Sequence, residues 1–144
     1  MNKRILLLED DDFHRDLIED RIRRRWRDTS FEYKSIANEK AFFQTFDQIV
    51  AAGFDLVIID QMIPYTSADD ESDDPQALAL DAFRGGARCY ERLREDERTK
   101  AIPVVFYTIL DRERVPEQAV YVKKTGDAEM TELLGTVGSV LRLP

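Results

Sequence analysis

Four apolar runs in this chain are continuous rather than alternating, and each stops at a polar or charged residue. They are Ile5-Leu6-Leu7-Leu8 before Glu9, Leu56-Val57-Ile58-Ile59 before Asp60, residues 102–107 before Thr108, and Ala119-Val120-Tyr121-Val122 before Lys123. Runs this short do not make a buried helix. They also lack the period of two expected of a strand with one wet face, and so fit strands buried on both sides. A fifth segment, Phe31-Glu32-Tyr33-Lys34-Ser35-Ile36, does alternate and reads as the edge strand.

Between the runs the period changes to that of a helix. Phe13, Leu17, Ile18, Ile22 and Trp26 trace one stripe over residues 12 to about 27, with Asp12 as N-cap. Asn38 caps a second helix through Ala52, with Phe42, Phe46, Ile49 and Val50 inward and Gly53 as its stop. A third, from Gly86 to about Glu97, carries Ala87, Tyr90, Leu93 and Arg94. The last runs from about Asp127 to Leu141 with Met130, Leu133, Leu134, Val137, Val140 and Leu141 apolar. Strands alternating with helices imply right-handed crossovers and a parallel sheet covered on both faces.

Two segments break this rhythm. Residues 65–74 are dominated by Asp69, Asp70, Glu71, Asp73 and Asp74 and read as a solvated acidic loop. Pro75 then opens a stretch of helix formers to Phe83. Between Thr108 and Tyr121 only twelve residues are available, Pro116 among them. One or two helical turns fit there at most.

With 144 residues the chain suits one domain, 1–144, with an acidic insert at about 65–84. Acids outnumber bases 29 to 21, for a net charge of −8, which argues against nucleic acid as a partner. Arg21, Arg23, Arg24, Arg25 and Arg27 are a local exception, read as a helix face paired with Asp16, Glu19 and Asp20. The single Cys89 excludes an internal disulfide, no apolar run approaches a membrane span, and the N-terminus is not a signal peptide. The expected location is the cytoplasm, with no membrane partner.

Chemistry concentrates where the buried strands end. In an open parallel sheet, ligands bind outside the carboxyl ends of the strands. If the first and second buried runs are neighbours, Glu9, Asp10 and Asp60 converge, and their mutual repulsion suits a hard divalent cation such as Mg²⁺. Thr108 adds a hydroxyl to the rim, and Lys123 and Lys124 an ammonium. That set suits phosphoryl transfer to a carboxylate.

In these residues the chain resembles a response-regulator receiver domain over nearly its full length. The pieces are Glu9-Asp10-Asp11 after the first strand, Asp60 with Pro64 four residues on, Thr108 ending the third run, and Tyr121-Val122-Lys123-Lys124. The resemblance implies a flavodoxin-like, doubly wound five-stranded parallel sheet of order 2-1-3-4-5. It implies that Asp60 accepts a phosphoryl group from a histidine kinase or phosphotransfer protein. Asp10, Glu9, Asp60 and the Met62 carbonyl would hold Mg²⁺. Thr108 and Lys124 would bond the phosphoryl oxygens, and Tyr121 would be a switch aromatic. Lys124 is preferred to Lys123 because the family's lysine lies three residues after the aromatic, and Lys123 would point to the opposite side of an extended strand. The chain would then signal by protein contact to an unknown downstream protein and would not be an enzyme beyond its own phosphorylation and dephosphorylation.

This sequence also departs from the family. Thr125 replaces the usual proline after the lysine, Ile109 replaces a small residue after Thr108 and stands to crowd the phosphoryl group, the acidic insert lies beside the site, and the fourth helix is shortened or missing. These departures keep open an alternative, a receiver-like interaction module independent of phosphorylation. An aspartyl-phosphate phosphatase of another family fits poorly, since Met62 stands where such enzymes carry a second acid. His14 reads as a helix-surface residue.

Overall fold

The computed structural model describes residues 2–66 and 82–144. Five parallel strands form one sheet: β1 (Asn2–Leu8), β2 (Ser30–Ile36), β3 (Leu56–Ile59), β4 (Val104–Thr108) and β5 (Val120–Lys123), in the order β2-β1-β3-β4-β5. This is the expected flavodoxin-like order. Five helices are described: α1 (Asp12–Arg25), α2 (Glu39–Gln44), α3 (Phe46–Ala52), α4 (Gly85–Glu95) and α5 (Thr131–Leu141). None of the described helices is long and apolar enough to cross a membrane.

The pleat sorts the strand residues by twos between two cores. Ile5, Leu7, Leu56, Ile58, Val105, Tyr107 and Val122 meet α1 and α5. Leu6, Leu8, Val57, Ile59, Val104 and Phe106 meet α2, α3 and α4. β1 from Ile5 on, and the whole of β3 and β4, are therefore dry on both faces, which is why these runs show no alternation. At about 0.8 kcal/mol per buried CH₂, this two-sided burial is the main source of stability.

Several local expectations are corrected. The cap of α1 is Asp11, not Asp12, and its carboxylate accepts from the Phe13 and His14 N–H groups. Phe13 stands 70% exposed instead of joining the stripe. The second predicted helix breaks at Thr45, whose hydroxyl donates back to the Ala41 carbonyl at 2.7 Å. Gly53 ends the second half in the left-handed region, φ 68°. The last helix starts at Thr131, because the Asp127 carboxylate accepts from the Glu129 and Thr131 N–H groups and holds the preceding residues in a turn. β5 is not fully buried: it is the second edge, and Val120 is 44% exposed.

Residues 109–119 hold a single 3-10 turn, Arg112–Arg114, where a fourth covering helix would otherwise stand. The guanidinium of Arg112 braces this connection through the carbonyls of Val115, Pro116, Glu117 and Ala119. Most of the acidic insert, and the helix expected after Pro75, lie outside the described residues.

Candidate functional site

Strand pleat and strand order together build the site. Counting on by twos along the face toward α1 and α5, Ile5 and Leu7 lead to Glu9, Leu56 and Ile58 lead to Asp60, and Val122 leads to Lys124. β1 and β3 are hydrogen-bonded neighbours, so Glu9 and Asp60 emerge side by side at their carboxyl ends. The Asp60 N–H donates to the Leu8 carbonyl at 2.9 Å and the Glu9 N–H to the Ile36 carbonyl at 3.2 Å, which fixes both exits.

Lys124 lies between the two carboxylates. Its Nζ donates to Glu9 Oε2 at 2.6 Å and to Asp60 Oδ2 at 3.0 Å, and all three side chains are buried. The Lys124 N–H donates to the Thr108 carbonyl at 2.7 Å, which ties the lysine's backbone to β4. Lys123, one residue earlier, points away and pairs with Asp111 at 2.7 Å. Asp10 is exposed, and Glu9, Asp10 and Asp60 each bring a carboxylate oxygen within 4.8 Å of the others. The donor set is all oxygen, which fits a hard divalent cation and not a soft one.

Burial, then the charge of Asp60, pushes Glu9 up to about 7, against the pull of Lys124. Burial would lower Lys124, but the carboxylates of Asp60 and Glu9 outweigh it and hold its pKa above the ordinary value. Two carboxylates share one ammonium, with that of Asp10 beside them, an oxygen-rich cluster compatible with a divalent cation.

Met62 follows Asp60 by two, and its N–H donates to Asp60 Oδ1 at 3.0 Å, orienting the carboxylate. Thr108 is fully buried at the end of β4, and its hydroxyl accepts from the Leu110 N–H at 3.4 Å. Tyr121 is tucked in, its hydroxyl donating to the Leu110 carbonyl at 2.7 Å. Ile109, the residue after Thr108, is 60% exposed and borders a hollow it shares with His14, Leu17 and Lys124. The peptide bond between Lys124 and Thr125 is trans, as are all the described ones.

Three residues were not foreseen. Gln61 is 1% exposed; its amide oxygen accepts from the Ala87 N–H at 2.7 Å and its amide nitrogen donates to the Arg114 carbonyl. Gly86 allows that approach, since a Cβ there would stand 2.7 Å from the Asp60 carbonyl oxygen and 2.7 Å from Gln61 Cα. Glu39, 2% exposed, is gripped by Arg88 of α4 through two bonds of 2.7 Å. The paired Gly85-Gly86 at a helix start was the one available signal, because two glycines there mark close backbone approach. A glutamine in a polar turn carries no such mark.

No protein-family model matches the sequence, and no curated protein matches it. Solved structures do match it. A signal receiver domain of two-component signal transduction (histidine kinase) from Clostridium thermocellum superposes with a TM-score of 0.72 at 20% identity, covering 97% of this chain and 98% of that one. The phosphorylated cyanobacterial phytochrome response regulator RcpA gives 0.72 at 16% identity, covering 99% and 95%. The Mn²⁺-bound form of the response regulator Rcp1 gives 0.63 at 18% identity, covering 96% and 91%. At these identities the likeness is one of fold: the chain has the fold of response-regulator receiver domains.

Proposed function

We propose that this protein is a phosphorylatable receiver of two-component signalling, in which Asp60 takes a phosphoryl group from a phosphohistidine of a histidine kinase or phosphotransfer protein. The observation that carries the reading is the Lys124 ammonium bridging Glu9 and Asp60 at the carboxyl ends of β1, β3 and β5, with Asp10 beside them. A buried cation aimed at the acceptor carboxylate has no packing role that an apolar residue would not fill better.

In the transfer, a carboxylate oxygen of Asp60 attacks phosphorus in line with the imidazole. The P–N bond breaks as the P–O bond forms, and the electron pair returns to the histidine ring. Met62 N–H and Lys124 hold the carboxylate before attack. Lys124 and the Thr108 hydroxyl then meet the transferred oxygens. Glu9, Asp10, Asp60 and the Met62 carbonyl are the oxygens that would hold Mg²⁺. Once bound, the cation supplies positive charge against the phosphoryl oxygens.

The protein acts on no other substrate in this reading; it passes the signal by protein contact, in the cytoplasm. A second reading, a receiver-like module that needs no phosphorylation, is favoured by the shrunken β4–β5 connection. One experiment separates them: incubation with Mg²⁺ and acetyl phosphate, read by intact mass. We expect a gain of one phosphoryl group that is absent in Asp60→Asn. No gain in the wild type, or a gain that persists in Asp60→Asn, overturns the acceptor assignment.

A further inference from the structure

We propose that Gln61 joins the Asp60 site to the β4–β5 turn: its buried amide makes the acceptor segment, the start of α4 and Arg114 one hydrogen-bonded unit, so that a phosphoryl group on Asp60 is felt at residues 112–116. The proposal rests on Asp60 being the acceptor.

Gln61 sits between Asp60 and Met62 and makes three bonds out of the segment. Its backbone carbonyl accepts from the Gly86 N–H at 3.1 Å, its amide oxygen from the Ala87 N–H at 2.7 Å, and its amide nitrogen donates to the Arg114 carbonyl. The two side-chain bonds need a donor and an acceptor on one short side chain. Glutamine has both, glutamate has no donor, and methionine has neither strong group.

The Asp60 carboxylate is held on one oxygen by the Met62 N–H and on the other by Lys124. Phosphorylating one of those oxygens turns the carboxylate into an acyl phosphate, which removes the carboxylate's charge and carries charge outward onto the phosphoryl group. The bonds at both oxygens must then readjust, and with them the 60–62 backbone. Gln61 cannot follow that movement alone, because both ends of its amide are tied.

The two anchors differ in stiffness. α4 is pressed against Asp60 and Gln61 at Gly86 and is rooted in the core by Cys89, Tyr90 and Leu93. The Arg112–Arg114 turn buries no side chain of its own, and the Arg112 bonds that brace it stay within residues 115–119 of the same connection. Displacement therefore passes to the softer anchor, the turn. The same turn stands where the chain has lost its fourth covering helix, so the signal emerges on a surface built from Arg114, Glu113 and Pro116 rather than from that helix.

Hydrogen–deuterium exchange read by mass spectrometry tests this, with Mg²⁺ and beryllofluoride as the phosphoryl mimic. In the wild type, exchange over residues 110–119 is expected to change by about fivefold or more when the mimic binds, the lower end of ordinary coupling between sites. Gln61→Met removes both side-chain bonds at similar length. Gln61→Asn keeps an amide too short to span both partners, and carries the comparison if the methionine variant does not fold. Both variants are expected to bind the mimic, read by fluorine-19 resonance, while residues 110–119 no longer respond. An undiminished response in either variant with the mimic bound overturns the proposal, as does a wild type that binds the mimic and leaves 110–119 unchanged. A wild type that does not bind the mimic overturns the acceptor reading and this proposal with it.

Discussion

At the scale of single residues the site is a balance of charge, and Glu9 is its most sensitive weight. A glutamate in water titrates near 4.3, whereas burial and the neighbouring Asp60 hold Glu9 up to about 7 in the fold. Between about pH 4.3 and about pH 7 the native state therefore keeps a proton that the unfolded chain has lost. Stability from this group is complete below about pH 4 and falls as pH rises through about 7. A divalent cation must displace that proton, so binding tightens with pH. Calorimetric titration with Mg²⁺ should show apparent affinity falling by up to about tenfold per pH unit from about pH 7 to about pH 6. Glu9→Gln should abolish the dependence. A flat affinity between about pH 6 and about pH 8 would contradict the electrostatics. The two lysines make the second residue-scale prediction. Lys124→Ala removes the ammonium from Asp60, and phosphorylation by acetyl phosphate, or its readout, should drop on the order of a hundredfold. Lys123→Ala removes only an exposed pair with Asp111 and should leave phosphorylation near wild type. The reverse ranking would mean that the wrong lysine serves the acceptor.

At the scale of elements, contact between α4 and the exit of β3 is the decisive joint. Gly86→Ala places a methyl against the Asp60 carbonyl and Gln61 Cα, so backbone must shift. We expect a loss of about 1–3 kcal/mol in chemical denaturation, together with slower phosphorylation, because the shift reaches the acceptor. Gly53→Ala is the control: it forces a methyl into the left-handed region with open space around it, costing about 1 kcal/mol without touching phosphorylation. Equal phosphorylation rates in both variants would remove the joint from the mechanism. The elements themselves were largely legible, because two-sided burial writes a continuous apolar run and strand ends write a polar stop. That Lys124 and not Lys123 turns toward Asp60 was legible for the same reason, since the pleat alternates. What was not legible depends on contacts far apart in sequence. Gln61 finds Ala87 and Arg114, and Glu39 finds Arg88, only once the sheet order exists. Short-range competition between neighbours also escaped the reading: Asp11 and Asp12 are equally good caps by type, and in the fold it is Asp11 that is extended and accepts the first free N–H groups.

At the scale of the whole molecule, the missing helix decides what this protein can assemble into. The resemblance to receiver domains implies a dimer and output face made by a helix between the last two strands, with the last strand and last helix. Here that helix is one 3-10 turn, so the face has lost its central element. Its remaining apolar groups do not compensate. Val120 is exposed on β5, but Val115 is buried and the Tyr121 hydroxyl is bonded inward to Leu110. A stable symmetric interface buries about 800 Å² on each partner, which a single exposed valine among Asp111, Glu113 and Lys123 does not supply. Sedimentation velocity should therefore show no phosphorylation-dependent dimer through this face, with Mg²⁺ and acetyl phosphate present or absent. Val120→Lys should leave the sedimentation coefficient unchanged in both conditions. A dimer that appears on phosphorylation and disappears in Val120→Lys would show that the shortened connection still serves as the usual interface, and that the face needs less surface than its helix normally provides.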